Sequence, residues 1–219
     1  METRVLIDGR PIVGEIFTAG PAAPPEALLG IDHRLHADLE PHEVRLAEAE
    51  CTEGCCGALY VTIQRCGDDV VWRDWRDPDD FHLTVPTFTF DAAQYDAEVA
   101  RAESDHTWEW HEATVARLVR ERLKGDPDLL GRWGCHPVWV AARPSDRGRI
   151  HVSYFFPQFP SATDGPWLQF VAVLDVPAGE PTTVADDLVG DLCASDPRRH
   201  DRVAGGSPGA AEELGHQWP

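Results

Sequence analysis

The sequence predicts an α+β fold, with antiparallel strands packed against a few helices in two sheet-plus-helix halves. Three features predict it. Short runs alternate apolar and polar residues at period two, as in half-buried strands. A later stretch places Val115, Leu118, Val119 and Leu123 at helical spacing, a core-facing stripe. The order of strands followed by a helix then comes a second time. With 219 residues, 42% of them apolar, the chain is long enough for a substantial core.

In chain order, Val5 to Asp8 and Ile12 to Phe17 flank Asp8-Gly9-Arg10-Pro11, a hairpin signal. Ala19 to Pro25 is rich in Pro, Ala and Gly and reads as loop. His42 to Ala47 sets Val44 and Leu46 between Glu43 and Arg45, a short strand whose alternation stops at Glu48, so a helical turn also fits. Gly57 to Gln64 carries Leu59, Val61 and Ile63, and Gly67-Asp68-Asp69 turns the chain into Val70 to Trp75. These three runs predict an antiparallel meander. Phe88-Thr89-Phe90 adds a short strand, and Asp91 caps a helix with Tyr95 and Val99 on one face.

A second helix is predicted from about Thr107 to Lys124, stopped by Gly125-Asp126-Pro127. Val138 to Ala142, Ile150 to Phe156 and Trp167 to Val176 read as strands, and Pro181-Thr182-Thr183 opens a helix holding Val184, Leu188, Val189 and Leu192. After Ser195 the chain is rich in Gly, Pro and charge. The expected organisation is one globular domain over residues 1–195, with lobes 1–126 and 127–195, followed by a disordered tail over 196–219. Whether the strands make one sheet or two is open.

Charge is the strongest bulk feature. The 38 carboxylates outnumber the 19 Lys and Arg two to one, for a net charge of −19. Such a surface repels nucleic-acid phosphates and anionic lipid heads, which argues against nucleic-acid and membrane partners, and it attracts cations and basic proteins. Acidity also simply keeps a protein in solution. No basic and then apolar leader precedes the first strand, and no apolar run approaches membrane-spanning length, so a cytoplasmic protein is expected.

Most catalytic motifs fail on inspection. His111-Glu112 begins like H-E-x-x-H, but Val115 stands where the second histidine belongs. Asp74, Asp77, Asp79 and Asp80 lack the spacing of a calcium loop; a solvated acidic turn or a weak cation site fits them. Gly205-Gly206-Ser207-Pro208-Gly209 matches G-x-S-x-G, but in the expected tail it lacks the strand and helix that a nucleophile elbow needs. No catalytic residue is assigned, and whether the chain is an enzyme is open.

The cysteines carry more chemistry. Cys51, Cys55 and Cys56 share one loop between two predicted strands, and Cys66 follows at the end of the second. Zinc takes four tetrahedral N or S ligands, so Cys51, Cys55 and Cys56 are candidate metal ligands, with His33, His36, His42 or the Cys135-His136 pair to complete a site. Adjacent Cys55 and Cys56 point to opposite sides of an extended chain, and a second close ligand pair is missing. A disulfide or reactive thiol in this loop and plain buried hydrophobic cysteines are the competing readings. Eight tryptophans, Trp108-Glu109-Trp110 among them, suit either the layer between sheet and helix or a ligand groove; Trp72 and Trp110 are expected in the packed layer.

The chain has 18 Arg, one Lys and no Asn, a high-GC composition. The stretch Cys51-Thr52-Glu53-Gly54-Cys55-Cys56-Gly57-Ala58-Leu59, then Val70-Val71-Trp72, then Phe88-Thr89-Phe90-Asp91-Ala92-Ala93-Gln94-Tyr95 resembles uncharacterised proteins of high-GC Gram-positive bacteria. That resemblance covers about residues 50 to 110 and implies no activity and no functional residues. The leading expectation is a non-enzymatic acidic binding or regulatory protein, immunity-like, acting on a basic protein. The alternative is a metal- or thiol-dependent enzyme centred on the Cys51–Cys56 loop.

Overall fold

The computed structural model describes residues 2–30, 32–49, 57–160, 165–207 and 209–218. The fold is α+β, and the chain divides into two compact units, residues 1–105 and 106–219, each a sheet with helices packed on it.

The first unit opens with a small hairpin, β1 (Leu6–Ile7) against β2 (Arg10–Pro11). Its turn residues Asp8 and Gly9 both have positive φ, 50° and 77°, as a two-residue hairpin turn requires. The run after it departs from expectation: Ile12–Ile16 is a helix, α1, not a returning strand. The hairpin ladder reaches past Pro11, since the Ile12 N–H still donates to the Val5 carbonyl at 3.2 Å, and the apolar positions 12, 13, 16 and 17 then suit a helical face as well as a strand. A one-turn helix α2 (Pro25–Leu28) follows.

The four-stranded antiparallel sheet runs β3 (His42–Glu48), β4 (Ala58–Cys66), β5 (Asp69–Arg76), β6 (Phe88–Asp91) in sequential order. The expected meander is present. The faltering alternation at the end of β3 is a bulge: register shifts between Arg45 and Ala47, and Leu46 and Ala47 are both fully buried. Gly57 enters β4 at φ 84°, and a Cβ there would lie 2.3 Å from the Asp77 carboxylate. Asp91 caps helix α3 (Ala92–Ser104) by accepting the Gln94 N–H at 2.8 Å. Trp72, 3% exposed, packs in the core with Phe90 and Tyr95 edge-on to its ring, and Val99 of α3 joins the same core.

The second unit holds α4 (His111–Gly125), α5 (Asp128–Gly131), strands β7 (His136–Ala142), β8 (Arg149–Phe156) and β9 (Leu168–Asp175), then α6 (Pro181–Cys193), β10 (Arg202–Gly206) and α7 (Ala210–Glu213). Its sheet is antiparallel in the order β10-β9-β8-β7. Val115, Val119 and Leu123 of α4 and Val184, Val189 and Leu192 of α6 close over Ile150, Val152 and Tyr154 of β8. Trp110 packs against this core, partly buried.

Two expectations about organisation are corrected. Helix α4 contributes its apolar stripe to the second core, so the division falls at 105/106 and not near 126. Residues after 195 are not a loose tail. β10 pairs with β9, and Val203, Ala210 and Ala211 are buried in the core. No helix among the described residues is long and apolar enough to cross a membrane.

Candidate functional site

The expected cysteine centre cannot be read geometrically, because Cys51, Cys55 and Cys56 lie outside the described residues. Of the other three, Cys66 is exposed, and Cys135 and Cys193 are buried core residues of the second unit. Burial pushes the Cys135 thiol up to about 12 and raises Cys193 as well, which makes both poor nucleophiles. Cys135 spends its thiol on the Trp133 carbonyl at 3.8 Å, and His136 binds the Pro157 carbonyl at 2.9 Å, so that pair completes no metal site among the described residues.

Ser207 stands at the end of β10 and ahead of α7, so strand and helix do surround it, contrary to expectation. Its Oγ accepts the Trp167 N–H at 3.2 Å while its own N–H goes to the Trp167 carbonyl at 3.0 Å. The residue thereby extends the pairing of β9 and β10, and among the described hydrogen bonds no histidine reaches it.

The first unit brings together a set that the sequence only half shows. The His36 N–H closes a turn onto the His33 carbonyl at 2.9 Å, and His33 takes a left-handed φ of 47°. Leu35 points into the core at 7% exposure while the two imidazoles face outward, their ring centres 4.5 Å apart. Glu103, in the last turn of α3, bridges them: Oε1 lies 3.1 Å from His33 Nδ1 and Oε2 lies 3.0 Å from His36 Nε2. One donor atom from each residue falls within 4.8 Å of the other two. The H-x-x-H spacing was visible in the sequence; Glu103, almost seventy residues on, carried no signal.

The backbone of this loop is pinned carbonyl by carbonyl. His42 Nε2 meets Arg34 O at 3.0 Å, so His42 supports the loop and is not a third imidazole of the cluster. The Tyr95 hydroxyl donates to Leu35 O at 2.7 Å and accepts from Trp72 Nε1 at 3.2 Å. Arg65 Nε holds Ala37 O at 3.1 Å, its backbone N–H holds Asp38 O at 2.8 Å, and Gln64 Nε2 holds Leu39 O at 2.9 Å. Burial raises the Tyr95 phenol, which keeps it a neutral donor. Loop and helix also wall a cavity of about 590 Å³ lined by Leu35, Trp72, Phe90, Tyr95, Val99 and Arg101.

The acidic charge is unevenly divided. Residues 1–105 hold 22 carboxylates against 8 arginines, and residues 106–219 hold 16 against 11 basic groups, so the first unit carries −14 and the second −5. The connection from β5 to β6 concentrates part of it in Asp77, Asp79 and Asp80. Asp77 accepts the Asp79 N–H and Asp80 accepts the His82 N–H, both at 3.0 Å, as in an acidic turn. Among the described residues these aspartates form no group of metal-binding geometry. Beside them Phe81 is 89% exposed, the largest exposure of any bulky apolar side chain described. Nothing local in the sequence marks Phe81 as an exposed ring. No protein-family model, no curated protein and no solved structure matches the chain.

Proposed function

We propose that the protein is a non-enzymatic acidic binding protein, regulatory or immunity-like, whose first unit engages a basic protein partner. The observation that carries this reading is Phe81, 89% exposed on a loop with Asp77, Asp79 and Asp80. A solvent-facing aromatic ring is costly to leave in water and is the kind of side chain that anchors an interface. Carboxylates around it steer a cationic partner and disfavour an acidic one. The net charge of −14 on residues 1–105 extends that field beyond the loop.

Full-length protein carrying a photo-reactive amino acid incorporated in place of Thr84 tests this, in lysate of the source cell. One basic protein is expected to cross-link at low salt, to be lost in about 1 M salt where the screening length shrinks to about 3 Å, and to be lost with Phe81→Ala. A cross-linking pattern identical in wild type and Phe81→Ala, or one indifferent to salt, would overturn the reading.

A further inference from the structure

We infer that His33, His36 and Glu103 form a binding site for one divalent transition-metal ion of the zinc class. The inference rests neither on Phe81 nor on Cys51, Cys55 or Cys56.

The donor set selects the ion. Two imidazole nitrogens and one carboxylate suit zinc, nickel, copper or ferrous iron; calcium and magnesium ask for six or more oxygens. Zinc binds such atoms at about 2.0–2.2 Å, which sets its tetrahedral ligands roughly 3.3 Å apart. Each imidazole nitrogen lies near that distance from one Glu103 oxygen, 3.1 Å to Oε1 for His33 and 3.0 Å to Oε2 for His36, and one donor atom from each residue falls within 4.8 Å of the other two, so small side-chain movements close the three donors on one ion. A neutral imidazole gives the ion the lone pair of one ring nitrogen and keeps its proton on the other. Entry of the ion therefore replaces the two hydrogen bonds to Glu103 with three coordinate bonds. It needs a tautomer change in the rings and no refolding of the loop.

Three further observations support a site over a simple latch. The loop is held by hydrogen bonds at five carbonyls, Arg34, Leu35, Ala37, Asp38 and Leu39, so the ligands are positioned before any ion arrives. The Glu103 side chain is 18% exposed while those of His33 and His36 are 57% and 48% exposed, which leaves the outer side open to water as a further ligand. The surrounding unit, at −14, favours a cation electrostatically.

The test uses full-length protein without an affinity tag, stripped of metal and titrated with zinc by calorimetry and with cobalt by absorption. The variants are His36→Ala, Glu103→Gln and the triple Cys51→Ser/Cys55→Ser/Cys56→Ser. One ion is expected at a site that the triple serine variant retains, with a cobalt spectrum lacking thiolate charge transfer. His36→Ala and Glu103→Gln are expected to weaken that binding by about 100-fold. Thermal melting checks that His36→Ala is folded. Glu103→Gln keeps a hydrogen-bonding side chain in place and decides the matter if His36→Ala is not. Absence of stoichiometric binding in the triple serine variant would overturn the inference. So would binding that survives both His36→Ala and Glu103→Gln.

Discussion

At the scale of single residues, the energetics of individual polar groups can be tested directly. Asp91 was legible as a helix cap because a capping carboxylate ahead of an apolar-periodic run is a local pattern, and the structure places its oxygen on the Gln94 N–H. Asp91→Ala is expected to cost about 1 kcal/mol, measured by chemical denaturation. Asp201 was not legible, because its environment is made by distant residues. Its carboxylate accepts the hydroxyl of the fully buried Tyr154 at 2.8 Å, and burial raises its pKa despite that hydrogen bond. A carboxyl raised in the folded state stabilises the fold below its ordinary value near 4, and loses that contribution as pH climbs through the raised one. Asp201→Asn, which can still accept from Tyr154, is therefore expected to be more stable than wild type at neutral pH. The difference should close as pH falls toward 4, and melting curves across that range would show it. The pair His33 and His36 was half legible in the same sense: the sequence offered both imidazoles as ligands to complete a cysteine site, and only tertiary structure supplied Glu103.

At the scale of elements, period and turn chemistry identified most strands and helices, and the departures have physical causes. Residues 12–16 satisfy both a strand-like apolar run and a helical face, and the helix buries Ile12 and Val13 in the core of the first unit. The region after 195 looked too poor in apolar residues to fold. It folds because few are needed: β10 borrows hydrogen-bonding partners from β9, and Val203, Ala210 and Ala211 complete a core built elsewhere. Val203→Asp is expected to destabilise the protein by several kcal/mol, since it buries an unpaired carboxylate, whereas a substitution in a true tail would change stability by less than about 0.5 kcal/mol. Leu123→Ala, at a 2% exposed position of the helical stripe, should cost about 2–5 kcal/mol.

At the scale of the whole molecule, the sequence showed a net charge of −19 without showing where it lay. The boundary at 105/106 reveals that most of it belongs to the first unit, the unit that also exposes Phe81 and holds His33, His36 and Glu103. Both features of that unit attract cations, one as a surface and one as a point site, and the experiments above separate them. The most direct measurement of the central claim is hydrogen exchange on the full-length protein with and without the basic protein captured by it. Protection is expected to be confined to the first unit, centred on residues 77–87, and lost with Phe81→Ala. Protection centred in residues 106–219, or no change anywhere at low salt, would contradict it.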